Sequence, residues 1–408
     1  MLTKFEVVII GGGPGGATAA SLLARAGWSV AVVEKVSFPR RKVCGEYISA
    51  TNLPLFQRLG TTEVFEERAG PKIRQVGIFA RDTILLADMP RPRESSGGWG
   101  RALGREHLDT LLLAQAAQAG TTVLQPWSAT ALTRTGSGYV CRVSSKETIE
   151  ERELEARVVI AAHGSWELGP LPTQPVHQPS RASDLLGFKA HFRDSALPAE
   201  LMPLLVFPGG YGGMVHSDSG RVSLSCCIRR DQLERCRRQM PDTSAAEAVL
   251  AHIEGNCLGG QRALRGAKLD GKWLAVGPIR PGIRTQWSDG IFLVGNAAGE
   301  AHPVIAEGIT MAMQSAWLLA ERLTARREEV LVGKSLEEVG RDYTAAWRRS
   351  FASRIHASSV LAHWAMRPTA VALMLPVLRL LPSVLAWGAR WSGKATQVVE
   401  ERTTRAIA

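Results

Sequence analysis

The 408-residue sequence contains no CxxC pair, no zinc-ligand spacing, and no glycine or proline repeat. Its six cysteines are scattered, which suits reduced thiols and gives no disulfide framework or metal centre, so no metal ligand is expected. Aromatic residues make up only 6%, with neither basic-region heptads nor RNP-like clusters, so nucleic acid is not an expected partner. The longest apolar stretch, Thr369 to Trp387, is broken by Pro376, Arg379 and Pro382 and makes a poor membrane span. The apolar N-terminus runs into glycines at Gly11 without a small-residue cleavage site, and is read as a first strand of a cytoplasmic protein.

What is present describes a globular enzyme-sized chain, with 45% hydrophobic and 21% charged residues. Lys and Arg total 49 against 38 Asp and Glu, a net charge of +11. The excess is concentrated in residues 341–408, where ten Lys/Arg face only Asp342, Glu400 and Glu401. A basic tail of this kind is expected either to aid solubility or to attract anionic lipid or an acidic carrier protein, the latter placing the protein at the membrane periphery.

Phe5 to Ile10 is a short β-branched run followed by Gly11-Gly12-Gly13-Pro14-Gly15-Gly16 and a helix-period segment that stops at Gly27. This is strand, tight turn, helix. Gly11 suits the turn, Gly13 lets a pyrophosphate approach the backbone, and Gly16 permits close helix–strand packing. A second strand then delivers Glu34, 23 positions after Gly11, where a carboxylate accepts hydrogen bonds from ribose hydroxyls. Glu34 opposes a 2′-phosphate, so FAD or NAD is expected over NADP. Near the other end, Asp289 to Gly299 reads as turn, buried strand and small-residue bend, and Pro303 with Glu307-Gly308-Ile309 opens a long helical run.

These segments, with Phe38 to Glu46 (FPRRKVCGE) and Arg105 ahead of Leu108-Asp109, resemble the FAD-dependent oxidoreductases that include group A flavoprotein monooxygenases, geranylgeranyl reductases and flavin-dependent halogenases. The resemblance implies an α/β fold: a Rossmann-like FAD-binding domain of the glutathione-reductase type, an interleaved β-sheet substrate domain and a helical C-terminal segment. It places the discontinuous FAD-binding domain at 1–75, 100–175 and 275–330, the substrate sheet at 76–99 and 176–274, and the helical cap at 331–408. FAD is the implied cofactor, with NADH or NADPH as electron donor.

By the same resemblance, Gly11, Gly13, Pro14, Gly15, Gly16, Glu34 and Lys35 hold the adenosine and pyrophosphate end of FAD, and Arg40 and Arg105 reach its phosphates or ribityl chain. Cys44-Gly45-Glu46 lies beside the isoalloxazine, with Cys44 a reactive thiol or a small packed side chain. Gly295 and Asn296 correspond to a Gly-Asp pair whose Asp accepts from the ribityl chain, and Gly308 and Ile309 aim helix amides at the flavin. His163 stands where phenol hydroxylases carry Asp before Gly, a departure that leaves the electron donor open.

Strand-like segments dominate from Arg181 to Trp273, and Phe207 to Gly213 resembles the PGGY segment that geranylgeranyl reductases place against substrate, making Tyr211 a pocket candidate. His302 is a candidate proton acceptor, with Glu300 as the residue expected to orient it. The tail, bearing Trp347, Trp364, Trp387 and Trp391, is expected to cap the pocket or lie on a membrane surface. The leading reaction is monooxygenation of a hydrophobic aromatic, quinone-like, polyketide or prenylated molecule of secondary metabolism. Alkene reduction of the geranylgeranyl-reductase type is the alternative. Halogenation is a third, disfavoured by the missing WxWxIP segment and the poor placement of Lys72.

Overall fold

The computed structural model describes residues 2–90, 98–381, 383–390, 394, 398 and 399. Pro382, Trp391, Glu400 and Glu401 lie outside the described residues, as do 91–97 of the expected substrate sheet.

In chain order, β1 (Leu2–Ile10) and β2 (Val30–Val33) flank helix α1 (Pro14–Arg25). The hairpin of β3 (Gln75–Ala80) and β4 (Thr83–Asp88) follows, then α2 (Arg105–Gln118) and β5 (Thr122–Leu124). Next come β6 (Trp127–Thr135), β7 (Gly138–Ser145) and β8 (Glu151–Ala161). Four strands, β9 (Leu185–Arg193), β10 (Leu201–Phe207), β11 (Gly210–His216) and β12 (Val222–Arg229), lead into helices α3 (Arg230–Gln239), α4 (Ala245–Asn256) and α5 (Leu258–Leu264). After β13 (Lys268–Ile279), β14 (Trp287–Ser288) and β15 (Ile291–Leu293), the chain is helical: α6 (Gly308–Ala325), α7 (Leu336–Ala365), α8 (Pro368–Leu380) and α9 (Ser383–Ala389).

The first sheet has the order β14-β15-β8-β1-β2-β5, with β7 paired onto β8 and β6 onto β7. Its centre is parallel: Val7 to Ile10 run beside Val30 to Val33 on one side and Val158 to Ala161 on the other. These runs are apolar at every position because both faces of the parallel centre are covered, and all twelve residues are buried. The second sheet, β13-β9-β12-β11-β10-β3-β4, is antiparallel except where β10 meets β3.

Alternation along β10 assigns the two faces of the second sheet. Leu201, Leu205 and Phe207 join a cluster with Val249 and Ile253 of α4, while Leu204 and Val206 join one with Val371, Leu375 and Leu378 of α8. The helices α3 to α5 interrupt the strand-rich reading of Arg181 to Trp273. Their clearest cause is a capping box: Ser244 Oγ accepts from Glu247 N–H while Glu247 Oε2 accepts from Ser244 N–H at 2.9 Å. β13 also runs to Ile279, past the boundary expected at residue 274.

Candidate cofactor and substrate site

Between the two sheets lies a cavity of about 890 Å³. Gly16 apart, every residue expected at the cofactor or catalytic site lines it: Gly11, Gly13, Pro14, Gly15, Glu34, Lys35, Arg40, Cys44, Gly45, Arg105, Tyr211, Gly295, Asn296, His302, Gly308 and Ile309. Residues separated by three hundred positions meet there because β1, β8 and β15 end at the same edge of the first sheet.

At one end the glycines divide their work. Gly11 turns the chain with φ at +109°, and a Cβ on Gly16 would stand 1.9 Å from Gly11 O, so Gly16 sets the approach of α1 to β1. A Cβ on Gly13 would instead enter open space, its nearest neighbour being Arg105 Nη2 at 3.8 Å. Pro14 occupies the first turn of α1, whose free amides face this space. Arg105 is fixed there by two hydrogen bonds to Asp109, Nε to Oδ1 at 2.6 Å and Nη2 to Oδ2 at 2.7 Å. Burial works against the guanidinium charge, but Asp109 outweighs it and raises the pKa.

Glu34 is buried beside them and accepts from Gly12 N–H at 2.8 Å and Val36 N–H at 3.0 Å. Arg40 Nη2 is 3.6 Å from Glu34 Oε2 and 3.8 Å from Asp109 Oδ2, and Arg40 Nε is buried with no hydrogen-bond partner among the described residues. An open glycine, helix amides, a fixed guanidinium and an orphaned Arg40 Nε fit the ribose and pyrophosphate of a dinucleotide. Lys35, also on this wall, pairs with Glu167. Lys42, in the same basic run, is pushed down to about 8, chiefly by burial and then by Arg105 and Arg40, and stands 5.8 Å from the Trp166 ring centroid.

In the Cys44-Gly45-Glu46 loop the charged residue is the anchor. Glu46 has φ at +65° and is buried against Lys189 and His191, the latter at 2.9 Å. Burial favours the neutral carboxyl, yet the His191 hydrogen bond and the Lys189 charge prevail and hold Glu46 well below the usual carboxylate range. This ties the loop to β9 and leaves Cys44 and Gly45 at the cavity surface. Sequence reasoning did not single out Lys189 and His191. Their signal was two polar residues at i and i+2 in the otherwise apolar LLGFKAHF, which a strand puts on one face.

Asn296 makes its contact within the protein through its amide nitrogen. Its Nδ2 donates to Glu300 Oε1 at 2.9 Å, and Glu300 Oε2 accepts from Ser165 Oγ at 2.6 Å with Arg284 Nη2 3.6 Å away. The carboxylate absent from position 296 is supplied four residues later. Burial raises the Glu300 pKa against the pull of Ser165, Arg284 and Lys42. Glu300 therefore does not orient His302, because its oxygens are committed to Asn296 and Ser165.

His302 is held by other partners. Its Nδ1 lies 3.2 Å from Tyr211 Oη, and its backbone N–H donates to Ser358 Oγ at 2.9 Å. Burial lowers the imidazole pKa to about 4, so it is neutral at pH 7. Tyr211 is almost fully buried, and burial with the neighbouring Cys227 raises its phenol well above the ordinary value. His163 turns away from acid chemistry: Nδ1 is 3.0 Å from Gly164 O, Nε2 is 2.9 Å from Thr173 Oγ1, and burial lowers its pKa.

At the far end α6 starts at Gly308, whose missing side chain leaves open space at the helix N-terminus. Glu307 precedes it, with a pKa raised by burial against the charges of Lys394 and Arg354. Lys394 reaches back from the tail to Ile305 O at 2.6 Å and Glu307 Oε1 at 3.3 Å, and Leu385, Gly388 and Ala389 complete that wall of the cavity.

A dinucleotide groove on a parallel sheet, open at its other end into an apolar chamber under a second sheet, is the arrangement of an FAD-dependent oxidoreductase. Residues 4–355 match the family described as FAD binding domain, and the chain belongs to it. It is 26% identical over 343 residues to digeranylgeranylglycerophospholipid reductase 1 of Methanothermobacter thermautotrophicus, covering 81% of this chain and 79% of that protein. It is 25% identical to menaquinone reductase of Mycolicibacterium smegmatis over 80% of this chain and 78% of that protein. In fold it is similar to the myxobacterial chondrochloren halogenase CndH, with a TM-score of 0.77, 21% identity and coverage of 96% of this chain and 91% of the other. PqsL of Pseudomonas aeruginosa, described as a probable FAD-dependent monooxygenase, gives a TM-score of 0.72 at 19% identity, covering 91% of this chain and 99% of the other. Among the described residues no single helix is long and apolar enough to cross a membrane.

Proposed function

We propose that the protein is a monooxygenase that hydroxylates or epoxidises a hydrophobic, electron-rich small molecule such as an alkylated phenol, quinone-like or polyketide compound, with NADH or NADPH as electron donor. The observation that carries this reading is the neutral His302 hydrogen-bonded to Tyr211 in an otherwise apolar chamber. Oxygen insertion into a ring needs the ring made electron-rich, and removing a phenolic or enolic proton does that.

FAD, held by Gly13, the α1 amides, Arg105 and Glu34 at one end and by Gly308 and Asn296 at the other, supplies the electrons and activates oxygen when bound. With its proton on Nδ1, donated to Tyr211 Oη, His302 presents a lone pair on Nε2. A substrate hydroxyl at that nitrogen gives up its proton, and the resulting imidazolium and phenolate attract each other, which offsets the cost burial imposes on either charge alone. Tyr211 fixes the imidazole plane, and Ser358 fixes its backbone. Leu385, Ala389 and Lys394 line the chamber on the tail side, where they would limit the access of water to the reacting atoms.

Two observations favour a second reading, alkene saturation: Cys44-Gly45-Glu46 and, from the PGGY-like segment, Tyr211 face the cavity, and two relatives are a digeranylgeranylglycerophospholipid reductase and a menaquinone reductase. Tyr211 and His302 would then serve as proton donor. The readings separate when protein reduced without air is offered isotopically labelled dioxygen and a long-chain alkylphenol, or a polyprenyl alkene with no oxygen. Label in the phenol product supports monooxygenation. Anaerobic flavin reoxidation by the alkene, with no label incorporated in the first mixture, overturns it, and a halide-dependent product assigns halogenation instead.

A further inference from the structure

We infer that α8 and α9 form a docking surface for an anionic lipid bilayer, which seats the protein at the interface without spanning it. Helix α8 is apolar around its circumference, yet the protein covers only one side of it. Val371, Leu375 and Leu378 pack on the second sheet, with Ile78, Val206 and Tyr211 in the same cluster. The opposite side presents Leu373, 77% exposed, and Leu380, 82% exposed, with Val377 between them. Leu381, Val384 and Trp387, the last 62% exposed, continue this surface along α9. A helix apolar all round belongs in a core or at a lipid boundary, and only half of this one has a core.

Charge complementarity selects the occupant. From Tyr343 to Val399 the sequence has seven Lys/Arg and no Asp or Glu, with Arg354 and Lys394 among them buried near Glu307. Arg367 and Arg379 flank the exposed leucines of α8, and Arg390 follows α9, all three exposed. The adjoining β3–β4 turn holds Arg81 beside Asp82 and is close to neutral. Aliphatic side chains and a Trp rimmed by arginines match acyl chains beneath phosphate headgroups. Helix α8 does not span a bilayer on its own: it has 13 residues, about 20 Å at 1.5 Å per residue, and meets α7 at 104°.

The surface adjoins the chamber, since Leu385, Gly388 and Ala389 of α9 line it, so a lipophilic compound in the bilayer lies one helix away from the cavity. The docking itself does not rest on which reaction the chamber performs.

The test is co-sedimentation of the FAD-loaded full-length protein with vesicles of equal parts phosphatidylglycerol and phosphatidylcholine, against vesicles of phosphatidylcholine alone. Binding is expected on the anionic vesicles and weakened by high salt. The exposed double variant Leu373→Ser/Leu380→Ser, with wild-type circular dichroism and flavin content, is expected to bind about tenfold or more weakly. Arg367→Gln/Arg390→Gln is expected to lose the preference for anionic vesicles. Absent binding, or equal binding of wild type and the leucine variant, overturns the inference. So does a wild-type dimer in sedimentation velocity that Leu373→Glu converts to monomer, which would give the surface to a second copy of the chain.

Discussion

Asn296→Asp tests whether the site keeps its carboxylate at 300 and its amide at 296. The substitution replaces the Nδ2 donor, 2.9 Å from Glu300 Oε1, with a second carboxylate oxygen at the same distance. Two buried carboxylates in contact cannot both be ionised, and Glu300 already titrates high because of its burial. Losing a hydrogen bond to a charged group costs about 2 kcal/mol, which for a chain of this length lowers Tm by roughly 2 °C. A carboxyl whose folded pKa is raised binds more protons folded than unfolded, so the loss should be smallest at acidic pH and grow as pH rises through that pKa. Thermal melts at several pH values, with flavin content measured alongside, provide the assay. Asn296→Asp/Glu300→Gln restores a donor–acceptor pair in reverse and is expected to recover both stability and FAD. Equal melting and equal FAD retention in wild type and Asn296→Asp across the pH range would refute the pairing.

His302→Gln is expected to retain FAD while lowering kcat on a phenolic substrate by about a hundredfold, the usual scale of a lost general base, measured in steady state. Because the His302 pKa is lowered from 6.5 to about 4, the unfolded chain binds the extra proton first, so wild-type stability should fall by about 3 kcal/mol as pH drops through that window. His302→Gln should lack this component in denaturant titrations at the two pH values. Deleting the chain from Arg367 removes Leu385, Gly388, Ala389 and Lys394 from the cavity wall while leaving the dinucleotide end intact. FAD is expected to stay bound and oxygen consumption to leak into hydrogen peroxide, so a truncated, folded protein with wild-type coupling would remove the tail from the substrate chamber.

The dinucleotide end was legible because its chemistry is local: Gly11 to Gly16 form a continuous turn, and strand period alone carries the chain to Glu34. The strands β9 to β12 were legible as short apolar runs between turn residues, and both faces of their sheet are covered. What was not legible depends on contacts made across the fold. The tie of Glu46 to Lys189 and His191 joins residues 143 and 145 positions apart, and no local pattern pairs them. Glu300 lies two residues before His302 in sequence, but the turn at Gly295–Ala297 and the short strand Gly299–Glu300 place it against Asn296 and Ser165, while β11 brings Tyr211 to His302 from 91 positions away. Helices α3 to α5 fall inside the strand-rich reading, although the Ser244–Glu247 spacing is a local helix-start signal.

Flavin content of purified protein reports whether FAD lies along the Gly13–Arg105–Glu34 groove. Wild type is expected to carry stoichiometric, non-covalent FAD by absorbance and by chromatography of the released cofactor. Gly13→Val is expected to carry none while keeping wild-type circular dichroism, because its side chain would project into the open space between α1 and Arg105 and not into the protein. Gly13→Val that holds FAD as tightly as wild type would contradict the account.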